Sequence, residues 1–238
     1  MSTRRVFLPP ERIGSGRATL TPEAVHYLRD VLRLAPGAAL ELFDGAGGVY
    51  AALVEEGFGG LTLGDRRTAR PALSLRLLFA LAKGEKMDLV VQKATELGAT
   101  HLAPFAAERS VIRLEADRAA ARVERWRRIA SEAARQCGRA DVPEVRAPMS
   151  LAAALAAVPS DHARFVFHPG GEPFPPDHVP TGVAAVVGPE GGLSDAEVEA
   201  CETAGARRIS LGPRVLRAET AAVVATALLQ ARYGDLGS

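Results

Sequence analysis

The stretch Val186–Ala200, VVGPEGGLSDAEVEA, sets a glycine-rich loop between a short apolar run and a helix start. Val183 to Val187 is apolar throughout and predicts a strand buried on both faces. Ser194, followed three residues later by Glu197, forms a capping box, and Leu193 with Val198 forms the hydrophobic staple around it. Gly205 is placed to end that helix. Gly188 to Gly192 is therefore a strand-to-helix loop at the carboxyl end of a buried strand, where open α/β sheets bind ligands. Its glycines permit positive φ and a close approach of backbone to ligand. Ordinary turn punctuation has the same composition.

A second loop repeats the pattern. Residues 209 to 220, ISLGPRVLRAET, give an apolar strand, a Gly-Pro pair and a helix. That helix, Ala218 to about Arg232, is apolar nearly all round, which predicts burial. Gly212-Pro213 follows Gly188-Pro189 by 24 residues, about one αβ unit, so two consecutive parallel strands should present their loops side by side. No GxGxxG with a downstream acid and no GxxxxGK[ST] occurs, which argues against a dinucleotide or triphosphate. Two backbone-lined loops suit a flat uncharged group such as adenine.

The first 70 residues read as β-rich with one helix. Thr21-Pro22 starts it and EAVHYLRDVLRL carries it to about Leu34. ALELF and VYAALVE alternate around DGAGG, a hairpin signal, and LTLGD adds a strand, which together suggest a small barrel. GDRRTARP at 64 to 71 is the expected boundary. From there strands and helices alternate, as in a parallel α/β domain too short for a TIM barrel.

With 238 residues, 47% hydrophobic, the chain has room for one large domain or for a large and a small one. It has no apolar run of membrane-spanning length and no signal-peptide core in MSTRRVFLPP, so a cytoplasmic location is expected. A net charge of +1 argues against indiscriminate coating of nucleic acid. The charge is uneven, however. Residues 1 to 36 hold six arginines against three acids, and 108 to 139 hold nine against five. Such local basic surface fits a selective RNA partner or a plain solvated face. GxSxG, HExxH and metal-ligand spacings are missing, and Cys137 and Cys201 form neither a metal pattern nor a disulfide framework. His168 is the only histidine at a strand's carboxyl end, placed as a wall of the ligand site.

GPEGG at 188 to 192 together with LGPRVLRAETA at 211 to 221 resembles the carboxyl-terminal signature of SPOUT-class RNA methyltransferases. More narrowly, the chain resembles the RsmE family, the 16S ribosomal RNA uridine-N3 methyltransferases. HYLRDVLRL and LELFDG resemble that family's PUA-like module, and KGEKMDLVVQKATELG, PFAAERSV and RWRRIASEAARQCGRADVP resemble its middle segments in the same order. Ala218 departs from the pattern, which has threonine between Arg217 and Glu219. The resemblance implies a PUA-like β-barrel for RNA binding over 1–70 and a SPOUT α/β domain over 71–238. It also implies a C-terminal deep trefoil knot, contrary to the usual topological rules. S-adenosylmethionine would be the methyl donor, no metal would be required, the chain would be a homodimer, and 16S ribosomal RNA in the small subunit would be the acceptor.

On that footing the cofactor-binding set is Phe167, His168, Gly188, Pro189, Glu190, Gly191, Gly192, Leu211, Gly212, Leu216 and Arg217. Arg217, then Arg214, are the candidates to steady charge on the uracil, and Glu190 to orient a donor or accept a proton. RNA-contact candidates are Arg4, Arg5, Arg17, Arg29, Arg33, Lys83, Arg109 and Arg139. The loops say little about the acceptor, so the same chemistry on another RNA stays open. So do a nonenzymatic RNA-binding assembly factor and a metabolic enzyme with an adenosine-containing ligand.

Overall fold

The computed structural model describes residues 4–82, 84–110, 116–174 and 180–237. Its contacts divide the chain into two units: Met1–Arg70 with Ser131–Val142, and Pro71–Ala130 with Pro143–Ser238.

The first unit contains β1 (Arg5–Phe7), β2 (Arg17–Thr19), α1 (Pro22–His26), β3 (Ala39–Phe43), β4 (Gly48–Val54) and β5 (Gly60–Thr68). They form one sheet in the order β1-β3-β4-β5-β2. The expected hairpin is β3 with β4, Ala39 opposite Leu53 and Phe43 opposite Val49. Asp44 closes it by accepting from the N–H groups of Ala46 (2.8 Å) and Gly48 (2.7 Å). β5 runs on through Asp65, Arg66, Arg67 and Thr68, so five of the eight residues of the expected boundary are strand. Charge alone does not end a strand whose backbone still has a partner, and here Arg66 and Arg67 lie opposite Tyr50 and Val49.

The helix also differs from expectation. Capped by Thr21, whose hydroxyl accepts from the Ala24 N–H (3.1 Å), it widens after His26 into a π turn, Tyr27–Val31. It stops short of Leu34: Arg33 adopts φ +53° while the Leu34 N–H reaches back to the Leu28 carbonyl (3.0 Å). An arginine thus takes the left-handed position usually signalled by glycine. Val6, Leu8, Leu28, Leu42 and Leu61 form the main core. Phe43 and Val49 pack with Ala134 and Ala140, which draws the last turns of the helix Ala116–Cys137 into this unit.

The second unit contains β6 (Ser74–Ala80), α2 (Glu85–Glu96), β7 (His101–Ala106), the first turns of α3 (Ala116–Cys137), β8 (Glu144–Val145) and β9 (Met149–Ser150). There follow α4 (Leu151–Ala156), β10 (Ala163–Glu172), β11 (Gly182–Val187), α5 (Asp195–Thr203), β12 (Ala206–Ile209) and α6 (Ala218–Tyr233). The sheet is parallel, ordered β12-β10-β11-β6-β7-β8, with β9 also on β7. The two loop-bearing strands are therefore not neighbours. β10 lies between them, Phe167 opposite Val187 on one side and Ile209 on the other.

Leu78, Phe105, Val166 and Val186 pack with Leu155, Val198 and Cys201 of α4 and α5. On α2, Met87, Val90, Val91 and Ala94 are buried, and on α6, Ala222, Ala225 and Leu229. The two helices are pinned where α2 ends: the Gly98 carbonyl accepts from Gln230 Nε2 (3.0 Å). α6 is not buried all round, because a helix laid on a sheet covers one stripe. Leu228 is 40% exposed, and Val223 and Val224 are half-buried.

His101 begins β7, with Nδ1 2.9 Å from Thr100 Oγ1 and Nε2 3.5 Å from Glu144. Burial, then the nearby Arg76 guanidinium, lowers its pKa from 6.5 to about 4, with Glu144 opposing. His162 is lowered by the same two causes in the same order. Both are neutral in the fold and take up protons more readily in the unfolded chain. The His101 contribution is therefore complete above pH 6.5 and is lost as pH falls towards 4, and that of His162 falls in the same direction. The urea midpoint is expected to drop between pH 7 and pH 5, and to drop less in His101→Gln; an equal drop in both would show that His101 does not carry the dependence.

Candidate active site

The carboxyl ends of three strands open into one cavity of about 310 Å³. That is near the lower end, roughly 300 Å³, for small-molecule sites. β10 supplies Phe167, His168 and Pro169, and β11 supplies Val187 and the loop from Gly188 to Leu193. The chain after β12 supplies Leu211, Gly212, Arg214, Val215 and Leu216, and α6 closes it with Ala218 and Ala221.

The glycines serve two separate needs. At Gly188 a Cβ would lie 2.9 Å from Leu193 Cγ, so a side chain there would force a shift, and at Gly191 it would lie 3.2 Å from Arg109 Cβ, a tight fit. Gly192 (φ +73°) and Gly212 (φ +100°) have open space but a left-handed backbone. The Gly192 N–H closes a turn on the Pro189 carbonyl (2.9 Å), and the Gly212 N–H donates to Ser210 Oγ (3.1 Å).

The capping box of α5 does more than start a helix. Ser194 Oγ accepts from the Glu197 N–H (3.3 Å), and Glu197 Oε2 accepts from the Ser194 N–H (2.9 Å). The other Glu197 oxygen accepts from the Glu108 N–H (2.8 Å), which ties in the loop after β7. From that loop Arg109 Nη1 donates to the Gly191 carbonyl (3.3 Å).

Across the loop stands Lys86 of α2. Its Nζ donates to Glu190 Oε1 (2.7 Å) and lies 3.8 Å from Glu219 Oε2. The hydrogen bond to Glu190 holds the Lys86 pKa above its ordinary 10.5, with Arg217 opposing. Glu219 Oε2 and His168 Nδ1 are buried without a hydrogen-bond partner among the described residues. No local signal marks Lys86, since Glu190 is 104 residues away.

The structure thus gathers Phe167, His168, Gly188, Pro189, Glu190, Gly191, Gly192, Leu211, Gly212, Arg214 and Leu216 around the cavity. Arg217 is not in its wall; it is the exposed N-cap of α6, between the wall residues Leu216 and Ala218. Arg109, proposed from sequence as an RNA contact, also lines this cavity. In the first unit Arg4 is exposed, Arg5 is mostly buried against Glu41, and Arg17 and Arg29 pair with Glu55 and Asp30. Arg139 pairs with Asp141, and Lys83 lies outside the described residues. Among the described residues no His, Cys, Asp and Glu cluster forms a metal-holding group.

Residues 69–230 match the model of the RNA methyltransferase domain, and 20–63 that of the RNA methyltransferase PUA domain. The chain is 33% identical to the ribosomal RNA small subunit methyltransferase E of Synechocystis, over 95% of this chain and 77% of that protein. It belongs to the ribosomal RNA small subunit methyltransferase E family. The RsmE resemblance read from the two loops is borne out. Two similar structures extend the likeness over the fold. A putative methyltransferase of Legionella pneumophila, solved with its cofactor S-adenosylmethionine, has a TM-score of 0.90 at 33% identity, covering 99% of this chain and 100% of that one. A family member from Neisseria gonorrhoeae, bound to S-adenosylmethionine, has a TM-score of 0.87 at 30% identity, covering 98% and 99%.

A valine at position 192 would have to adopt a left-handed backbone, at a cost of about 1–3 kcal/mol. Gly192→Val should therefore still fold, with a melting temperature lower by several degrees. Its affinity for S-adenosylmethionine by calorimetry should fall at least 10-fold through displacement of the turn. Unchanged affinity would remove this turn from the site.

Proposed function

We propose that this chain transfers the methyl group of S-adenosylmethionine to N3 of a uridine in 16S ribosomal RNA of the small subunit. The observation that carries this reading is the glycine-walled cavity of β10, β11 and the segment after β12, in a chain whose family members hold that donor. The donor, when bound, brings a methyl group already activated by its sulfonium, so no metal is needed.

The residues present fit it. Phe167, Leu211, Leu216 and Val187 offer apolar walls to a flat ring, and the backbone at Gly188, Gly191, Gly192 and Gly212 can approach closely because side chains are missing there. His168 brings a buried ring nitrogen that has no partner among the described residues. Holding the reacting groups in line is the main contribution the protein can make to such a transfer. Arg214 in the wall and Arg217 at the rim steady the charge that grows on the uracil as its N3 proton leaves. Lys86 holds Glu190 at the cavity edge, in place to orient a donor or take that proton.

In this reading residues 1–70 form the PUA-like barrel and 71–238 the SPOUT domain, with its trefoil knot near the carboxyl terminus. The chain works in the cytoplasm as a homodimer, for which the exposed Leu228 of α6 and Leu89 of α2 offer apolar surface. RNA is held through Arg4, Arg5, Arg17, Arg29 and Arg33 of the first unit, with Lys83, Arg109 and Arg139.

Labelled methyl transfer to 30S subunits, 50S subunits and transfer RNA, with mapping of the modified base, tests the acceptor; transfer only to the latter two would overturn it. Arg217→Ala should keep donor affinity and sedimentation as a dimer while turnover falls about 10²-fold, the scale for one preorganised donor. A fast Arg217→Ala dimer would leave Arg214 alone in that role.

A further inference from the structure

The first unit has a cavity of its own, about 670 Å³, far larger than a water site. Arg4, Arg5 and Arg67 meet Tyr27 and Arg135 there, and among the described residues Glu41 is the only acidic one in its lining. Both Glu41 oxygens are taken: Arg5 Nε donates to one (2.5 Å), and Arg67 pairs with the other. Arg5 is nonetheless incompletely satisfied. Its side chain is 8% exposed, and its Nη1 is buried with no hydrogen-bond partner among the described residues. A buried charged donor left unmet is costly unless a ligand meets it.

The guanidinium planes are held from behind. Arg5 Cζ lies 4.7 Å from the centroid of the Phe43 ring, and Arg135 Cζ lies 3.9 Å from that of Tyr27. Among the described residues no carboxylate pairs with Arg135, whereas Arg17 and Arg29 form exposed pairs with Glu55 and Asp30. Arg135 and the Arg5 Nη1 thus leave unmet cationic capacity in one cavity. Guanidinium forks match a tetrahedral oxyanion with paired hydrogen bonds, and held in this way they lose little freedom on binding it.

We infer that this cavity takes one phosphodiester group of an RNA strand. The space exceeds a phosphate, which leaves room for its ribose and for a base beside the stacked Tyr27–Arg135 pair. The choice of RNA as the polyanion rests on the function proposed above; the phosphate chemistry rests on the arginines.

The test is binding of a fluorescent single-stranded oligoribonucleotide by the full chain across a range of potassium chloride. Arg135→Ala removes one charge from the surface and should reduce the slope of log affinity against log salt by about 0.7. Arg5→Lys keeps the charge but loses the fork. It should weaken binding about 10-fold with the slope nearly unchanged, a split that general destabilisation would not produce. Donor affinity should stay at the wild-type value in both. An unchanged slope and affinity in Arg135→Ala would overturn the pocket, even if Arg5→Lys fails to fold. Inorganic phosphate bound as tightly as the oligonucleotide would reassign it to a free anion, and an oligoglutamate peptide bound in place of RNA would equally overturn it. RNA binding with these variant effects supports the pocket even where no methyl reaches 30S subunits, a result that would sink the enzymatic reading alone.

Discussion

β10 runs parallel between β11 and β12, and the geometry of the second unit's cavity follows from that placement. Parallel strands send their carboxyl ends to one edge, so three chain segments leave the sheet together. Phe167 and His168 become the floor between two glycine loops, where adjacent loop strands would have left no room for them. Each wall is then secured from outside. Glu197 ties the loop after β7 to the start of α5, Arg109 reaches back to Gly191, and Lys86 bridges Glu190 and Glu219. Every tie joins residues far apart in sequence, so the loops are shaped by the folded sheet and not by their own composition.

What the sequence makes legible is local. The Ser194–Glu197 box, the Leu193–Val198 staple, the apolar strand at 183 to 187 and the hairpin around Asp44 all depend on residues within a few positions of one another. The order of the strands does not, and the side-by-side arrangement of the two loops failed for that reason. Arg33 ends its helix with no glycine to announce it. The apolar run of α6 suggested burial all round, but composition cannot say how much of a helix its neighbours cover, and Leu228 remains exposed. Lys86 is a polar residue in the first turn of an ordinary amphipathic helix, and only the fold makes it part of a site.

Charge shows the same limit. Counting arginines suggested basic surface over 108 to 139, yet Arg125 is held by Asp88 and Arg139 by Asp141, one partner from a distant helix and the other two residues on. Pairing thus takes some of these guanidinium groups out of the outward-facing set. Exposed pairs of this kind add little stability; their main effect is to set which cations remain for a polyanion. In the first unit one such cation lines the cavity beside Glu41, to which α3 contributes Arg135 although it is remote in sequence from the strands.

The two cysteines stand at opposite extremes of reactivity. Cys201 is fully buried in the core between sheet and α5, and burial pushes its thiol up to about 12, so at neutral pH it offers neither access nor thiolate. Cys137 is exposed at the end of α3, in the wall of the arginine cavity. The unaltered chain therefore carries a single addressable sulfur. A dye or spin probe attached through it would stand in the wall of that cavity and report on what enters, with no engineered residue required.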